Sequence, residues 1–320
     1  MHSVASHSSL QTRALLPRPP FRFDLALAYL RRSPFEVLDV VEAGVYRRAL
    51  MLGGRPRLIE VRAEGDAEQP GLRVSLPDGP ADPSELEAAA ARVARCFRVD
   101  DDLTPLDALA LADQRFGALV QRARGLRALI MPSPFEALVW AIIGQQINVA
   151  FAYRLKRVLV EQFGARLEHG GRTYHLFPTP RRLAELEPEQ LRPLQFSSQK
   201  SRYIVDLARL VASGQLDLEA FGGLPPDEAR AALMSLRGVG RWTAEYVLMR
   251  GLGARDELPA ADIGLQVAAG RVYGLAVRPT ESELRALAEP WAGWRTYYAF
   301  YLWFSLSAAK ASGALAAPAP

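Results

Sequence analysis

The stretch that decides the fold is ALMSLRGVGRWTAEYVLMRGLG, residues 232–253. Its apolar residues follow helical spacing up to Leu236 and again after Arg241, and the Gly-Val-Gly of residues 238–240 separates the two runs. Glycine adopts backbone angles that other residues avoid and lets another backbone come close. The pattern therefore predicts two helices joined by a tight turn, with the second helix beginning at Arg241.

The turn and the first amides of the second helix form a predicted phosphate site. These amides have no partner within the helix, and they carry the positive end of the helix dipole. They can bind a phosphate without reading the base sequence. The predicted DNA contacts here are Gly238, Val239, Gly240 and the hydroxyl of Thr243. Taken alone, the same residues also fit an ordinary αα-hairpin with a glycine-containing turn.

The longer pattern L-x-G-V-G-x-x-T-A is more specific than the turn. It resembles the helix-hairpin-helix signature of DNA repair glycosylases, the HhH-GPD superfamily. In that superfamily a Gly/Pro-rich loop and then an aspartate follow the hairpin. Here the loop is GLGARDELPAADIG, residues 251–264, and the aspartate is Asp262.

Other segments narrow the resemblance to the 3-methyladenine DNA glycosylase II (AlkA) type. They lie, in order, at 19–30, 134–150, 177–186 and 291–303. The resemblance covers about residues 19–309. It implies an α+β fold, in which a small N-terminal antiparallel-sheet domain precedes a mostly helical helix-hairpin-helix glycosylase domain.

The patterning of the first third agrees with a small sheet domain. Short apolar runs at 45–52, 57–64 and 72–76 are separated by Gly, Pro and Asp, which is typical of an antiparallel meander. Pro83 then opens a helix. The predicted divisions are a disordered tail at 1–20, the α+β domain at 21–113, the helical domain at 114–310 and a second disordered tail at 311–320.

The remaining chain is predicted to be helical. Ser133 can cap a helix that Pro134 opens, and Glu136 can complete a capping box. Apolar residues nearly encircle the run 137–159, which predicts one buried central helix. Further helices are predicted at about 181–187, 199–213, 226–236, 241–251, 262–273, 280–289 and 291–309.

Asp262 is the predicted catalytic residue. Breaking the bond between base and sugar builds positive charge on the sugar, and a nearby carboxylate stabilises that charge and orients or deprotonates water. The superfamily's catalytic aspartate corresponds to Asp262, with Asp256 as the alternative if the alignment shifts. Asp262 also fits a helix N-cap. Both roles can hold, because a capping position fixes the carboxylate.

The position two residues after the second hairpin glycine bears on the mechanism. Relatives that also cut the sugar–phosphate backbone have a lysine nucleophile there, whereas this chain has Trp242. Lysine occurs only at residues 156, 200 and 310. The sequence therefore predicts a monofunctional enzyme that leaves an abasic site.

An aromatic pocket is implied by the same resemblance. A target base must leave the helical stack to be reached, and aromatic faces favour the cationic character of an alkylated base. The implied pocket residues are Trp242, Tyr246, Trp303 and Tyr29. Trp291 and Trp294 carry no such match and are predicted to lie in the core.

Flipping a base leaves a gap that a side chain can fill. The wedge of this family lies in the GQQIN turn, residues 144–148. The common AlkA pattern has leucine where this chain has Gln146, and Ile147 is the alternative in another register. Both residues are candidate DNA contacts.

Composition agrees with an intracellular DNA-binding enzyme. The net charge is +4 and the isoelectric point about 9.3, with arginine supplying nearly all the positive charge. The single cysteine, Cys96, excludes a four-cysteine iron–sulfur cluster. No catalytic metal or cofactor is expected, although the hairpin carbonyls could hold a structural cation, as this family does. The absence of a signal sequence or membrane span, with the resemblance, implies the bacterial cytoplasm. A monomer is expected, because it fits a protein that must hold and bend a duplex.

The predicted function is excision of alkylated purines of the 3-methyladenine type from duplex DNA in base excision repair. Two alternatives stay open at this point. One is a glycosylase for oxidised or deaminated bases. The other is a non-catalytic lesion-binding protein, which would keep the hairpin but would need neither Asp262 nor the aromatic pocket.

Overall fold

The computed structural model describes residues 11–311, with side chains up to Leu306. The first third combines a five-stranded antiparallel sheet with four helices. Its elements are β1 (Thr12–Leu15), α1 (Phe23–Leu30), β2 (Val40–Glu42), β3 (Val45–Leu52), β4 (Arg55–Gly65), β5 (Pro70–Ser75), α2 (Pro83–Phe97), α3 (Thr104–Ala110) and α4 (Gln114–Arg122). The predicted α+β fold class is confirmed.

The sheet has the strand order β1-β5-β4-β3-β2. Its centre is the meander predicted from the apolar runs, with Val61 opposite Tyr46 on one side and Val74 on the other. These side chains are buried because α2 covers the sheet. The predicted start of α2 at Pro83 is also confirmed, and Asp82 caps it.

The predicted N-terminal tail is too long. Residues 1–10 lie outside the described residues, but Thr12–Leu15 forms the edge strand β1 and pairs with β5 over Leu72–Ser75. Its side chains are mostly exposed, so apolar patterning gives little sign of the strand. The predicted tail at 311–320 lies outside the described residues except for Ala311, the last residue of the final helix.

The second part is mostly helical. Its elements are α5 (Pro134–Gly144), α6 (Val149–Phe163), β6 (Arg166–His169), β7 (Arg172–His175), α7 (Pro180–Ala184), a 3₁₀ turn (Pro188–Leu194), α8 (Ser198–Ala212), a 3₁₀ turn (Ala220–Gly223), α9 (Pro226–Met234), α10 (Arg241–Val247), a π-helical segment (Leu248–Leu252), α11 (Ile263–Tyr273), α12 (Glu281–Leu287), a 3₁₀ turn (Glu289–Trp291) and α13 (Arg295–Ala311). Within residues 11–311, no helix is long and apolar enough to cross a membrane.

The prediction of one central helix through residues 137–159 is wrong. The chain breaks after Gly144, and α6 starts only at Val149. Gln146 adopts a left-handed backbone with φ of 57°, and the Asn148 side chain caps α6 by accepting from the amide of Phe151. Helical apolar periodicity continues through the break, so the pattern hides it. The short β6–β7 hairpin was also missed by the helical prediction.

The predicted capping box at α5 is half right. The Ser133 hydroxyl accepts from the amide of Glu136 at 3.2 Å. The Glu136 carboxylate does not complete the box, because it accepts from the buried guanidinium of Arg48 at 2.6 Å instead. This pair ties α5 to strand β3 of the sheet domain.

The buried apolar side chains form two large cores. One contains the sheet with α1 to α4 and also α11 to α13, and the other contains α5 to α10. Leu248 belongs to the second core and Met249 to the first, while Leu252 and Ala254 pack against the second, so this stretch contacts both cores. Trp303 packs against both cores. The boundary predicted between residues 113 and 114 stays a prediction, since helices from both sides of it share one core.

Candidate active site

Asp262 lies at the seam between the two cores, at the N-cap of α11. Its Oδ1 atom accepts from the amide of Leu265 at 2.8 Å, and its own amide donates to the Pro259 carbonyl at 2.8 Å. The capping role inferred from sequence is thus present. It fixes a half-buried carboxylate at the edge of the seam.

Two indoles hold the same carboxylate. The Nε1 of Trp242 donates to Oδ2 of Asp262 at 3.2 Å, and the Nε1 of Trp303 donates to Oδ1 at 3.3 Å. Trp242 belongs to α10 and Trp303 to α13, so each core contributes one donor. Both carboxylate oxygens are therefore oriented by groups from different parts of the fold.

An aromatic wall adjoins the carboxylate. The ring of Tyr246 lies 5.7 Å from that of Trp242 and 5.8 Å from that of Trp303, measured between centroids. Both tryptophans are half-buried, so their surfaces are partly accessible. Burial raises the pKa of Tyr246 to about 12, so its hydroxyl stays neutral. The structure brings these predicted pocket residues together with Asp262.

Tyr29 makes its ring contacts with residues other than the wall tryptophans. It is buried, and its ring packs against Phe300 at 4.4 Å. The guanidinium of Arg32 stacks on it at 3.8 Å, and that of Arg250 lies 5.5 Å from its centroid. A direct contact of Tyr29 with a flipped base stays a prediction, because packed groups surround its ring.

The hairpin between α9 and α10 has the predicted glycine turn. Gly238 has φ of 83°, and a β-carbon there would lie 2.3 Å from the ring of Tyr203. Val239 is buried, so it can offer DNA only its backbone, whereas Gly240 is exposed at the N-cap of α10. Phosphate binding by these amides stays a prediction that the geometry supports.

Thr243 does not present its hydroxyl to the hairpin surface. The residue is 2% exposed, and its Oγ1 accepts from Nε2 of Gln145 at 3.0 Å. The same amide nitrogen donates to the carbonyl of Gly238 at 2.9 Å. We therefore replace the predicted phosphate contact of Thr243 with a role in fixing the turn. Gln145, which sequence reasoning missed, links the hairpin to the 145–148 turn.

The two wedge candidates differ in the structure. Gln146 is exposed and has the left-handed backbone described above, whereas Ile147 is half-buried and packs against the helical core. Lys200 also supports the turn, because its ammonium donates to the carbonyls of Ile143 and Gln145 at 2.8 and 2.7 Å. This geometry favours Gln146 as the projecting side chain.

Asp256 is exposed and pairs with Arg295 at 3.0 Å, so it lies outside the aromatic wall. Trp291 and Trp294 are buried in the first core, as predicted. Cys96 is buried, and burial raises the pKa of its thiol.

The described side chains give little support for a metal site. Among the described residues, no group of three or more His, Cys, Asp or Glu side chains could hold a metal ion. The predicted cation at the hairpin would use backbone carbonyls, and that of Gly238 already accepts from Gln145. It has a second lone pair for a cation, so this site stays a prediction.

Comparison with known proteins agrees with this geometry. Residues 139–293 match the model of the HhH-GPD superfamily base excision DNA repair protein, and residues 12–132 match the AlkA N-terminal domain. A DNA-3-methyladenine glycosylase of Bacillus subtilis is 34% identical over 283 residues, which are 88% of this chain and 93% of the relative. The chain belongs to the HhH-GPD superfamily.

Solved structures show the same relationship in three dimensions. A 3-methyladenine DNA-glycosylase from Archaeoglobus fulgidus is similar with a TM-score of 0.80 and 28% identity, over 91% of this chain and 97% of that one. The 3-methyladenine DNA glycosylase of Schizosaccharomyces pombe, solved with abasic DNA, is similar with a TM-score of 0.53 and 26% identity, over 62% and 95% of the two chains. The predicted membership and two-part architecture are confirmed.

Proposed function

We propose that this HhH-GPD protein is a monofunctional DNA glycosylase that excises alkylated purines of the 3-methyladenine type from duplex DNA. The observation that carries the proposal is the pair of indole hydrogen bonds to Asp262. They join the carboxylate to an aromatic wall, so a base stacked on that wall has its glycosidic bond near Asp262. The names of the similar proteins support the substrate class.

The mechanism follows from the fixed carboxylate. As the bond to the base breaks, positive charge builds on the sugar, and the negative charge of Asp262 stabilises it. The carboxylate can also orient or accept a proton from the attacking water. An alkylated purine leaves readily because its ring already carries positive charge. The structure describes two lysine side chains, and both have other partners. Lys156 donates to Glu36, and Lys200 donates to the carbonyl of Gln145, which supports hydrolysis without a covalent intermediate.

In this proposal the hairpin amides and Gln146 bind the DNA. The hairpin binds a backbone phosphate, and Gln146 enters the gap left by the flipped base. The enzyme acts as a monomer on one lesion at a time. Sedimentation of the protein with and without a lesion duplex would reveal a dimer if one forms.

Base release from a duplex carrying 3-methyladenine tests the proposal. We expect the wild type to release the base, and Asp262→Asn to lose at least about 100-fold in single-turnover rate. Asparagine also caps helices well, so folding should be kept. Asp256→Asn, at the exposed aspartate in the same loop, is the control and should keep full rate.

The alternative of a non-catalytic lesion-binding protein predicts a different result. In that case the wild type binds the lesion duplex but releases no base from any alkylated substrate. Retained DNA affinity in Asp262→Asn, measured by fluorescence anisotropy, shows that a lost rate comes from the chemistry and not from binding.

A further inference from the structure

Gly264 lies directly beside the carboxylate of Asp262, in the first turn of α11. A β-carbon built on this glycine would lie 2.9 Å from Oδ1 of Asp262, which is closer than non-bonded carbon and oxygen atoms pack. The next nearest atoms are Cδ1 of Leu306 at 3.8 Å and Nε1 of Trp303 at 3.9 Å, both at ordinary contact distance. A side chain at this position would therefore collide with the carboxylate.

The backbone at Gly264 does not require a glycine. The residue belongs to the helix and lies outside the left-handed region, unlike Gly253 and Gly274, whose φ values are 81° and 64°. In a helical conformation alanine is favoured over glycine, because glycine loses more conformational freedom on folding. Glycine at this position therefore lowers stability, and the close contact with Asp262 gives a reason for keeping it.

The backbone on both sides of the carboxylate is held in place. The Asp262 amide donates to the Pro259 carbonyl at 2.8 Å, and the Asp262 carbonyl accepts from the Gln266 amide at 3.0 Å. The buried side chain of Gln266 also donates to the Ala260 carbonyl at 2.8 Å. Leu265 is fully buried and fixes the first turn of the helix in the core. A collision in this turn would therefore be relieved by movement of the carboxylate and not of the backbone.

Movement of the carboxylate would disturb the hydrogen bonds that orient it. Oδ1 accepts from the amide of Leu265 at 2.8 Å and from Nε1 of Trp303 at 3.3 Å, and Oδ2 accepts from Nε1 of Trp242 at 3.2 Å. Because the two oxygens belong to one planar group, a displacement of Oδ1 also turns Oδ2. The empty space over Gly264 is thus a condition for the position that the carboxylate has in this site.

We infer that Gly264 is a positioning residue of the glycosylase site, which holds the Asp262 carboxylate in its place between the two indoles by leaving room for Oδ1. This inference rests on the proposed function, in which the carboxylate stabilises positive charge on the sugar. Such stabilisation depends on a group that is already aimed at the developing charge. A misplacement of about 1 Å in an active site can lower the rate about 100-fold. Gly264 acts through Asp262 and needs no contact with DNA in this role.

Gly264→Ala adds one methyl group and tests the inference. The carboxylate must move until its contact with the new carbon reaches an ordinary 3.4 Å, and we expect single-turnover release of 3-methyladenine to slow about tenfold. Affinity for an abasic duplex should change less than about threefold, because the hairpin and the 145–148 turn are untouched. The melting temperature should stay within about 2 °C of the wild type, since the gain from replacing glycine offsets a weakened cap.

Gly270→Ala is the matched control in the same helix. Gly270 also lies outside the left-handed region, and the atom nearest to an added β-carbon is Cδ of Pro279 at 3.5 Å, an ordinary contact. We expect this variant to melt about 1–3 °C higher than the wild type, because alanine restricts the unfolded chain more than glycine does. Its rate of base release should be that of the wild type.

A double variant shows whether the methyl group acts through Asp262. The rate of Asp262→Asn, measured above spontaneous release from the same duplex, already lacks the contribution of the carboxylate charge. Adding Gly264→Ala to it should lower that rate less than about twofold, because there is no longer a charge to misplace. Two independent effects would instead multiply to a further tenfold loss.

The outcomes separate the inference from the proposed function. A wild-type rate in Gly264→Ala overturns the inference and leaves the proposed function standing. A slower rate overturns it too if affinity for the abasic duplex falls by the same factor, or if the full loss persists in the Asp262→Asn background. Release of no base by the wild type overturns the proposed function, and the inference with it.

Discussion

The indole Nε1 of Trp242 donates a hydrogen bond of 3.2 Å to the Asp262 carboxylate, across a gap of 20 residues in the chain. The same side chain belongs to the aromatic wall. One residue thus orients the carboxylate and presents a stacking surface. Lysine at this position would supply a nucleophile, whereas tryptophan supplies a hydrogen-bond donor.

Replacing this donor should slow the chemical step. Trp242→Phe keeps an aromatic face but removes the N–H group, and we expect single-turnover base release to fall about tenfold. The affinity for abasic duplex should change little. Trp303→Phe removes the other indole donor and should act similarly. Trp294→Phe changes a buried indole away from Asp262 and serves as the control. Wild-type rates in both wall variants would contradict the positioning role.

No covalent intermediate should form during base release. Lys200 donates to two carbonyls, and Lys156 is buried in an ion pair with Glu36. Neither amine is available beside Asp262. Incubation with lesion duplex and borohydride should give no protein–DNA adduct on a denaturing gel, while a known lyase on its own substrate gives one. A trapped adduct of this chain would show an amine nucleophile.

The left-handed backbone at Gln146 allows a clean test of the wedge. Gln146→Gly removes the side chain, and glycine accepts φ of 57° without strain. We expect affinity for abasic duplex to fall about tenfold with unchanged thermal stability. Gln215→Ala, at an exposed loop residue, should leave affinity unchanged. Unchanged affinity in Gln146→Gly would show that Gln146 is not the wedge and that another residue of the turn has this role.

Gly238 should be the least replaceable residue of the hairpin. In Gly238→Ala a β-carbon meets the Tyr203 ring, and φ of 83° is unfavourable for alanine. We expect a loss of about 2–5 kcal/mol in the free energy of unfolding. Gly214→Ala has a similar φ of 75° but no atom within 4 Å of the added carbon, so it should lose only about 1–2 kcal/mol. Urea denaturation measures both, and equal losses would show that the Tyr203 contact is unimportant.

Asp101 should contribute to acid stability. Burial acts to raise the pKa of its carboxyl, but the charge of Arg98 and the hydrogen bond from Tyr297 outweigh it, so the pKa lies below its ordinary value of 3.8. The folded state therefore gains stability above that value and loses it as pH falls through the lowered pKa.

We expect Asp101→Asn to be about 1–3 kcal/mol less stable than the wild type at pH 7. The difference should shrink as pH falls below 3.8 and the wild-type carboxyl is protonated. Denaturation midpoints across this range measure the difference. A difference that stays constant at low pH would show that the carboxylate charge is not involved.

Local sequence determined the features that depend on neighbouring residues. The glycine turn at 238–240, the cap at Asp262 and the strands β3 (Val45–Leu52) and β5 (Pro70–Ser75) all follow from residues within a few positions of one another. Turns, caps and apolar periodicity are short-range signals. The site aspartate and its wall tryptophan could therefore be predicted once the resemblance supplied their roles.

Tertiary structure decided the partners of charged and polar groups. Glu136 had a local capping role available, but it pairs with Arg48, 88 residues away. The buried hydroxyl of Thr243 accepts a hydrogen bond from Gln145, and Arg250 lines a cavity between the domains. Such partners depend on how two apolar cores meet, because a buried charge must find whatever group the packing brings beside it. The pattern of residues along the chain does not show which groups the packing of the two cores brings together.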